Sequence, residues 1–130
     1  MMPVKVRDLL ETIDERQRRN ILSCVERCDI PDLEKEVEIE IDDKTLSFLK
    51  ALANPIRFSI LKLLRDNWLC VCLISRALNQ DQTLVSHHLR TLRSLDLIEE
   101  RKEGRMHFYR ARRVVIEDYL ERVRRELLGE

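Results

Sequence analysis

Four cysteines and one run of polar residues are the side chains of this sequence best placed to do chemistry. Cys70 and Cys72 flank Val71 inside the apolar stretch WLCVCLI. Two residues apart is about 200° of turn on a helix, so both sulfurs face one ion only where a helix starts or its first turn is irregular. A helix N-terminus in turn lowers a thiol pKa and favours the thiolate. Cys24 and Cys28 are four apart and neighbours on one helical face, a spacing ready to chelate. Two plus two makes a set of four soft thiolates, suited to a thiophilic divalent metal ion such as Zn, Cd or Pb and not to Mg or Ca. Two other readings stand beside it. Cys70 and Cys72 can be small core residues, or either pair can be a reversible thiol switch.

The polar run begins at Gln82. A helix capped by Gln80 or Asp81 and running to about Leu95 would bury Val85, Leu89 and Leu92, with Leu84, His88 and Leu95 at the margin. Gln82, Thr83, Ser86, His87 and Arg90 then face outward. Their amide and hydroxyl groups suit base edges in a DNA major groove, and Arg90 and Arg93 can reach phosphate or guanine. Arg101, Lys102 and Arg105, around Gly104, would meet backbone phosphate or the minor groove. The plainer reading makes these residues a solvated helix and a soluble hairpin edge. His88 and His107 read as packed, hydrogen-bonded histidines and are assigned to no metal.

The elements that must position these groups are mostly helical. From Val4 to about Cys28 apolar residues recur at three- and four-residue steps, predicting one amphipathic helix with room for a break at 14–20, stopped by Asp29 and Pro31. Val37, Ile39 and Ile41 alternate with acids, the period of a half-buried strand or extended arm. Leu46, Leu49, Leu52 and Ala53 line the next helix. Asn54-Pro55 caps another, with Ile56, Ile60, Leu61, Leu63 and Leu64 on its inner face. Residues 70–78 read as a short helix, Asn79 as the turn, and the Gln82 helix as its partner: a helix-turn-helix. Residues 97–101 and 106–110 form a hairpin turning at Glu103-Gly104. A last helix, 113–128, turns Val115, Ile116, Tyr119, Leu120, Val123 and Leu127 inward. A helix-turn-helix followed by a basic hairpin is a winged helix. The expected fold is therefore mainly α with a small β-hairpin wing, a helical and acidic extended arm over 1–43, and a winged helix-turn-helix for DNA binding and dimerisation over 44–130.

Composition agrees with this outline. The chain has 130 residues, 37% of them charged and only two Gly, against about 25% charged in an average globular protein. An all-β or Gly-rich nucleotide-binding fold is disfavoured. The 24 bases balance the 24 acids, but the charge is segregated. Residues 32–43 carry seven acids and one lysine, whereas residues 80–113 carry eight bases and five acids. A polyanion would meet the second segment; an acidic adaptor built on 32–43 is the alternative without DNA. The longest apolar run is far short of the about 18 residues that span a bilayer. With charges in every turn of the N-terminus, a cytoplasmic protein with reduced thiols is expected. Three His, no Gly-rich loop and no convergent carboxylate pair supply no catalytic constellation.

The segments LKALANPIRFSILKLL, LCVCLISRAL and TLVSHHLRTLRSLDLIEERKEGRMHFYRA resemble the ArsR/SmtB family of metal-responsive winged-helix repressors, in order and spacing, over residues 44 to about 112. The resemblance implies a homodimeric repressor on a double-stranded DNA operator, with no membrane partner. It implies DNA contacts at Gln82, Thr83, Ser86 and His87, and a dimer contact built by the helices around 44–53 and 113–128. The cysteine pattern is most similar to the cadmium- and lead-responsive branch, in which a Cys-x-x-x-Cys joins a Cys-x-Cys across the dimer, so Cys24, Cys28, Cys70 and Cys72 become the implied ligands. The arsenic-responsive branch has a further Cys where Ser75 stands, and no His follows His107 to build the zinc-type site of the last helix.

Overall fold

The computed structural model describes residues 3–129, which divide into two compact units between Ile41 and Asp42. In the N-terminal unit a short antiparallel pair, β1 (Val4–Lys5) and β2 (Glu36–Val37), sets Val4 opposite Val37. The pairing is prolonged by the Val6 and Arg7 N–H groups, which donate to the Lys35 and Leu33 carbonyls at 2.9 Å. Both Lys5 and Arg7 clasp Glu34, at 3.1 and 2.6 Å.

The single helix expected from Val4 to Cys28 is not formed. After α1 (Val6–Leu9) and one 3-10 turn, Leu10–Thr12, the chain extends at Ile13 and restarts as α2 (Glu15–Cys28). The break falls at Ile13–Asp14, at the head of the polar stretch 14–20, and the rest of that stretch is helical. Asp14 causes it: its carboxylate accepts from the Gln17 N–H at 2.8 Å, satisfying an end group that a continuous helix would have paired internally. Arg18 reaches back to the Leu10 carbonyl at 2.9 Å and fixes the corner. Beyond Val37 the acidic stretch is extended, with Ile39 and Ile41 exposed.

The second unit opens where Asp42 caps α3 (Asp43–Leu52), accepting from the Thr45 N–H at 3.1 Å and the Thr45 hydroxyl at 2.7 Å. The inward face of α3 is Thr45, Phe48 and Ala51, with Leu49 and Ala53 exposed. The leucine face read from periodicity is therefore rotated. Phe48 stacks on Tyr119 with ring centroids 4.7 Å apart, and this aromatic pair decides which side of α3 turns in. Asn54 caps α4 (Pro55–Leu63), accepting from the Ile56 and Arg57 N–H groups at 2.9 and 3.1 Å.

Next come β3 (Leu69–Cys70), α5 (Val71–Leu78), α6 (Gln82–Ser94), β4 (Ile98–Glu103), β5 (Met106–Ala111) and α7 (Arg113–Leu128). The wing sheet has three strands in the order β3-β5-β4, one more than the hairpin read from sequence. Its base is held by the Ala111 N–H on the Leu64 carbonyl at 3.1 Å and the Arg112 N–H on the Leu97 carbonyl at 2.8 Å. Phe48, Ile60, Leu64, Ile74, Val85, Leu92 and Leu97 are the fully buried centre. Of the inner face expected on α7, Tyr119 is buried and Val115, Ile116 and Val123 are half-buried, whereas Leu120 and Leu127 lie exposed. No helix among the described residues is long and apolar enough to cross a membrane.

Candidate nucleic-acid interface

The tight turn between α5 and α6 is built by local chemistry. Asn79 closes α5 in the left-handed region at φ 52°, which Asn tolerates better than most residues. The Gln80 N–H then donates to the Ser75 carbonyl at 3.0 Å. Two residues later Asp81 caps α6 through the Thr83 N–H at 3.1 Å. The buried stripe of α6 is Val85, His88, Leu89 and Leu92. Opposite it, Gln82, Thr83, His87 and Arg90 are exposed and Ser86 is half-buried. A donor- and acceptor-rich helix face thus projects from a rigid core.

Across the wing, Arg101 faces Phe108 and Lys102 faces His107. Gly104 turns the tip at φ 60°, a conformation most side chains resist. Arg101, Lys102 and Arg105 are exposed there, and Arg101 bonds Glu103 at 2.6 Å. Arg93 is engaged within the protein: its guanidinium holds Glu100, whose other oxygen lies 2.7 Å from His107 Nδ1. The His107 hydrogen bond and the Arg93 charge hold the Glu100 carboxyl below the usual carboxylate range, against the opposite push of burial. Glu100 therefore ties the end of α6 to the β4–β5 hairpin of the wing.

His88 is not marginal but 6% exposed, with Arg57 Nη1 3.2 Å from its Nδ1. Sequence reasoning missed Arg57 and Glu100, since nothing local marks a contact spanning such a stretch of chain. It also missed Trp68, whose ring carries the Arg110 guanidinium 4.6 Å from its centroid, with Arg110 bound to Glu99 at 2.8 Å.

The four thiols are free and occupy two places. Cys70 is buried and Cys72 exposed, yet their sulfurs are 3.2 Å apart. Cys70 is the extended cap residue of α5, not part of the helix, so the 200° separation does not apply to it. Burial raises its pKa, but N–H groups at the start of α5, those of Leu73 and Cys72, and the Cys72 thiol outweigh burial and lower it. Cys72 shifts upward, first through its bond to Cys70 and then through burial and the Cys70 charge. Cys24 and Cys28 lie one turn apart on α2, half-buried and exposed, with Arg27 Nη2 3.8 Å from the Cys24 sulfur. Among the described residues no three His, Cys, Asp or Glu side chains of one chain converge as a metal set. Ser75 is buried, and its hydroxyl has no hydrogen-bond partner among those residues.

Comparison with known proteins agrees with this geometry. A family profile described as bacterial regulatory protein, arsR family, matches residues 54–100. An uncharacterized HTH-type transcriptional regulator of Methanocaldococcus jannaschii, MJ1325, is 41% identical over 68 residues, 52% of this chain and 76% of that one. The arsenical resistance operon repressor of Staphylococcus aureus is 31% identical over 75 residues, 58% of this chain and 72% of that one. Among solved structures, the homodimeric winged helix-turn-helix DNA-binding domain Mb0332 of Mycobacterium bovis superposes with a TM-score of 0.55 at 30% identity. That match covers 72% of this chain and 94% of that one.

Proposed function

Since this chain belongs to the arsR family of bacterial regulatory proteins and is a transcriptional regulator of that type, not an enzyme, we propose that it is a homodimeric, sequence-specific repressor that releases its operator when its thiols bind a thiophilic divalent ion. Gln82, Thr83, Ser86, His87 and Arg90 read the major groove, while Arg101, Lys102 and Arg105 hold backbone phosphate. Arg93 joins them by leaving Glu100 for phosphate. One reading helix spans only a few base pairs, and two-fold pairing of half-sites supplies the rest.

The dimer reading is supported by what α3 and α7 leave outside. Leu49, Leu120, Leu127 and Leu128 are exposed, and a groove of about 840 Å³ lies between α3, α4 and α7, lined by Phe48, Leu52, Phe58, Ile116 and Leu120. A second copy of this chain covers that face. The exposed cationic wing and reading face remain free for DNA.

The observation that carries the inducer reading is the 3.2 Å sulfur pair at the start of α5. Thiolates on a tetrahedral ion with bonds of about 2.3 Å are about 3.8 Å apart, so Cys70 and Cys72 fit after opening by about half an ångström. Cys24 and Cys28 of the partner subunit would complete the four-thiolate set, as the cysteine pattern implies. When bound, Zn, Cd or Pb would supply a positive centre holding the thiolates at fixed spacing. Cys70 cannot follow its sulfur without moving the strand it ends and the helix it caps. Both DNA-facing elements are then re-angled. A coupling of about 1–3 kcal/mol weakens operator binding about 5- to 150-fold.

The test measures bound metal per dimer and operator affinity with and without Cd(II), for wild type and for the pairs Cys70→Ser/Cys72→Ser and Cys24→Ser/Cys28→Ser. Saturating metal that binds and leaves operator affinity unchanged overturns the inducer reading. A second reading rests on the same sulfur pair: oxidation of Cys70 and Cys72 to a disulfide by a peroxide removes both thiols and moves the same residues. It predicts release by peroxide in metal-free protein, reversed by a dithiol.

A further inference from the structure

One partly buried polar contact of the DNA-binding unit belongs to neither the reading face nor the thiols. Arg57, in the first turn of α4, donates from Nε to the Ala51 carbonyl at 2.9 Å and from Nη2 to the Lys50 carbonyl at 3.5 Å. Both acceptors lie in the last turn of α3, where carbonyls lack intrahelical partners and a cation is favoured. The remaining arm, Nη1, lies 3.2 Å from His88 Nδ1 on α6. The Arg57 backbone is itself fixed, its N–H donating to the Asn54 side chain at 3.1 Å. One guanidinium therefore bridges the end of α3 to the middle of α6.

The chemistry of this bridge is directional. A guanidinium has donors and no acceptor, so His88 Nδ1 must be the unprotonated nitrogen and the ring neutral, with its proton on Nε2. We propose that Arg57 and His88 form a bracket that sets the angle of the reading helix α6 against α3, making both of them positioning residues for operator recognition and neutral His88 the binding-competent form. The proposal rests on the reading of α6 as the DNA-contacting helix. Because α3 belongs to the proposed dimer face, the bracket also refers each reading helix to the two-fold axis. The spacing of the two half-site readers depends on it.

Protonation would break the bracket. The charged groups acting on His88 are Arg57 from α4 and His87 beside it on α6, and no carboxylate is among them. An imidazolium would face a guanidinium at hydrogen-bond distance with no anion between them. Burial first, then Arg57 and His87, hold the His88 pKa below its ordinary value of about 6.5. Acidification from there downward makes the bound state progressively harder to hold.

The experiment first selects an operator from a randomised duplex library with the full-length protein. It then measures fluorescence anisotropy on operator and random duplex from pH 8 to 5.5, with wild type, Arg57→Gln, Arg57→Lys and His88→Asn. Asn presents an acceptor oxygen near the place of Nδ1 and does not titrate. The expected result is an operator affinity about tenfold lower in Arg57→Gln, the scale of one lost charge-assisted hydrogen bond, with random-duplex affinity unchanged. His88→Asn keeps its pH 7.5 affinity within about threefold and loses the part of the acid sensitivity that wild type shows. Thermal unfolding is followed for each variant; Arg57→Lys and His88→Asn carry the test if Arg57→Gln does not fold. Wild-type operator affinity in folded Arg57→Gln, or an unchanged pH profile in His88→Asn, overturns the bracket. Absence of any operator preference in wild type overturns the DNA-reading assignment itself, and so is told apart from failure of the bracket alone.

Discussion

Cys70 and Phe108 are direct partners across the β3–β5 ladder, while the residue after Cys70 already begins α5. One buried thiol thus stands where the wing sheet ends and the helix-turn-helix starts. Its ionisation is set by that position. In protein carrying Cys24→Ser/Cys28→Ser, thiolate absorbance is expected to rise in two steps on either side of the free cysteine value of about 8.5. Cys70 supplies most of the lower step, because the N–H groups opening α5 favour its anion over the effect of burial, and Cys72 the upper. Adding Cys70→Ser should remove the lower step. A single step at the ordinary value would refute this account.

Glu100 joins α6 to the wing through Arg93 and His107, and its pH signature follows from its depressed pKa. A carboxyl with a folded-state pKa below its unfolded value stabilises the fold above the unfolded pKa, about 4.3. That contribution is lost as pH falls through the lower folded value. Glu100→Gln should therefore lose stability at pH 7, by less than about 1 kcal/mol because Arg93 is well exposed. The gap to wild type in urea unfolding should narrow as pH falls through the unfolded carboxylate value and close below the depressed folded one. A gap that persists unchanged at pH 3 would show that Glu100 acts by packing and not by charge.

The exposed cations at the wing tip and the polar face of α6 should separate in their salt behaviour. Lys102→Ala/Arg105→Ala is expected to weaken operator and random DNA alike and to reduce the slope of log affinity against log salt by about 1–2. Arg90→Ala or Gln82→Ala should instead cost about 1–3 kcal/mol on operator alone. Equal losses on both DNAs for the α6 variants would reassign that face to phosphate contact.

Features legible in the sequence are those decided within a few residues. Asp81 and Asn54 cap their helices, Asn79 turns one, and Gly104 turns the wing, because each condition is local. The outward face of α6 followed from spacing alone. What escaped depends on partners distant in the chain. The rotation of α3 is set by Tyr119, the strand at Leu69 exists because Tyr109 pairs with it, and His88 is buried under Arg57. The cysteines fall on the legible side: the sequence allows Cys70 and Cys72 to meet where a helix starts, and Cys70 is the extended cap of α5 with the sulfurs 3.2 Å apart.

Ser75 offers a test of the core. Its side chain is buried in α5 next to Ile74, with no hydrogen-bond partner for its hydroxyl among the described residues. An unmet buried hydroxyl forfeits hydration without return, and Ala is the better helix former. Ser75→Ala should raise stability by about 0.5–1 kcal/mol, read as an increase of about 2–8 °C in Tm. Operator affinity should stay unchanged, since Ser75 points into the core and the reading face lies on α6. Loss of stability in this variant would mean that the hydroxyl bonds a neighbouring carbonyl of α5.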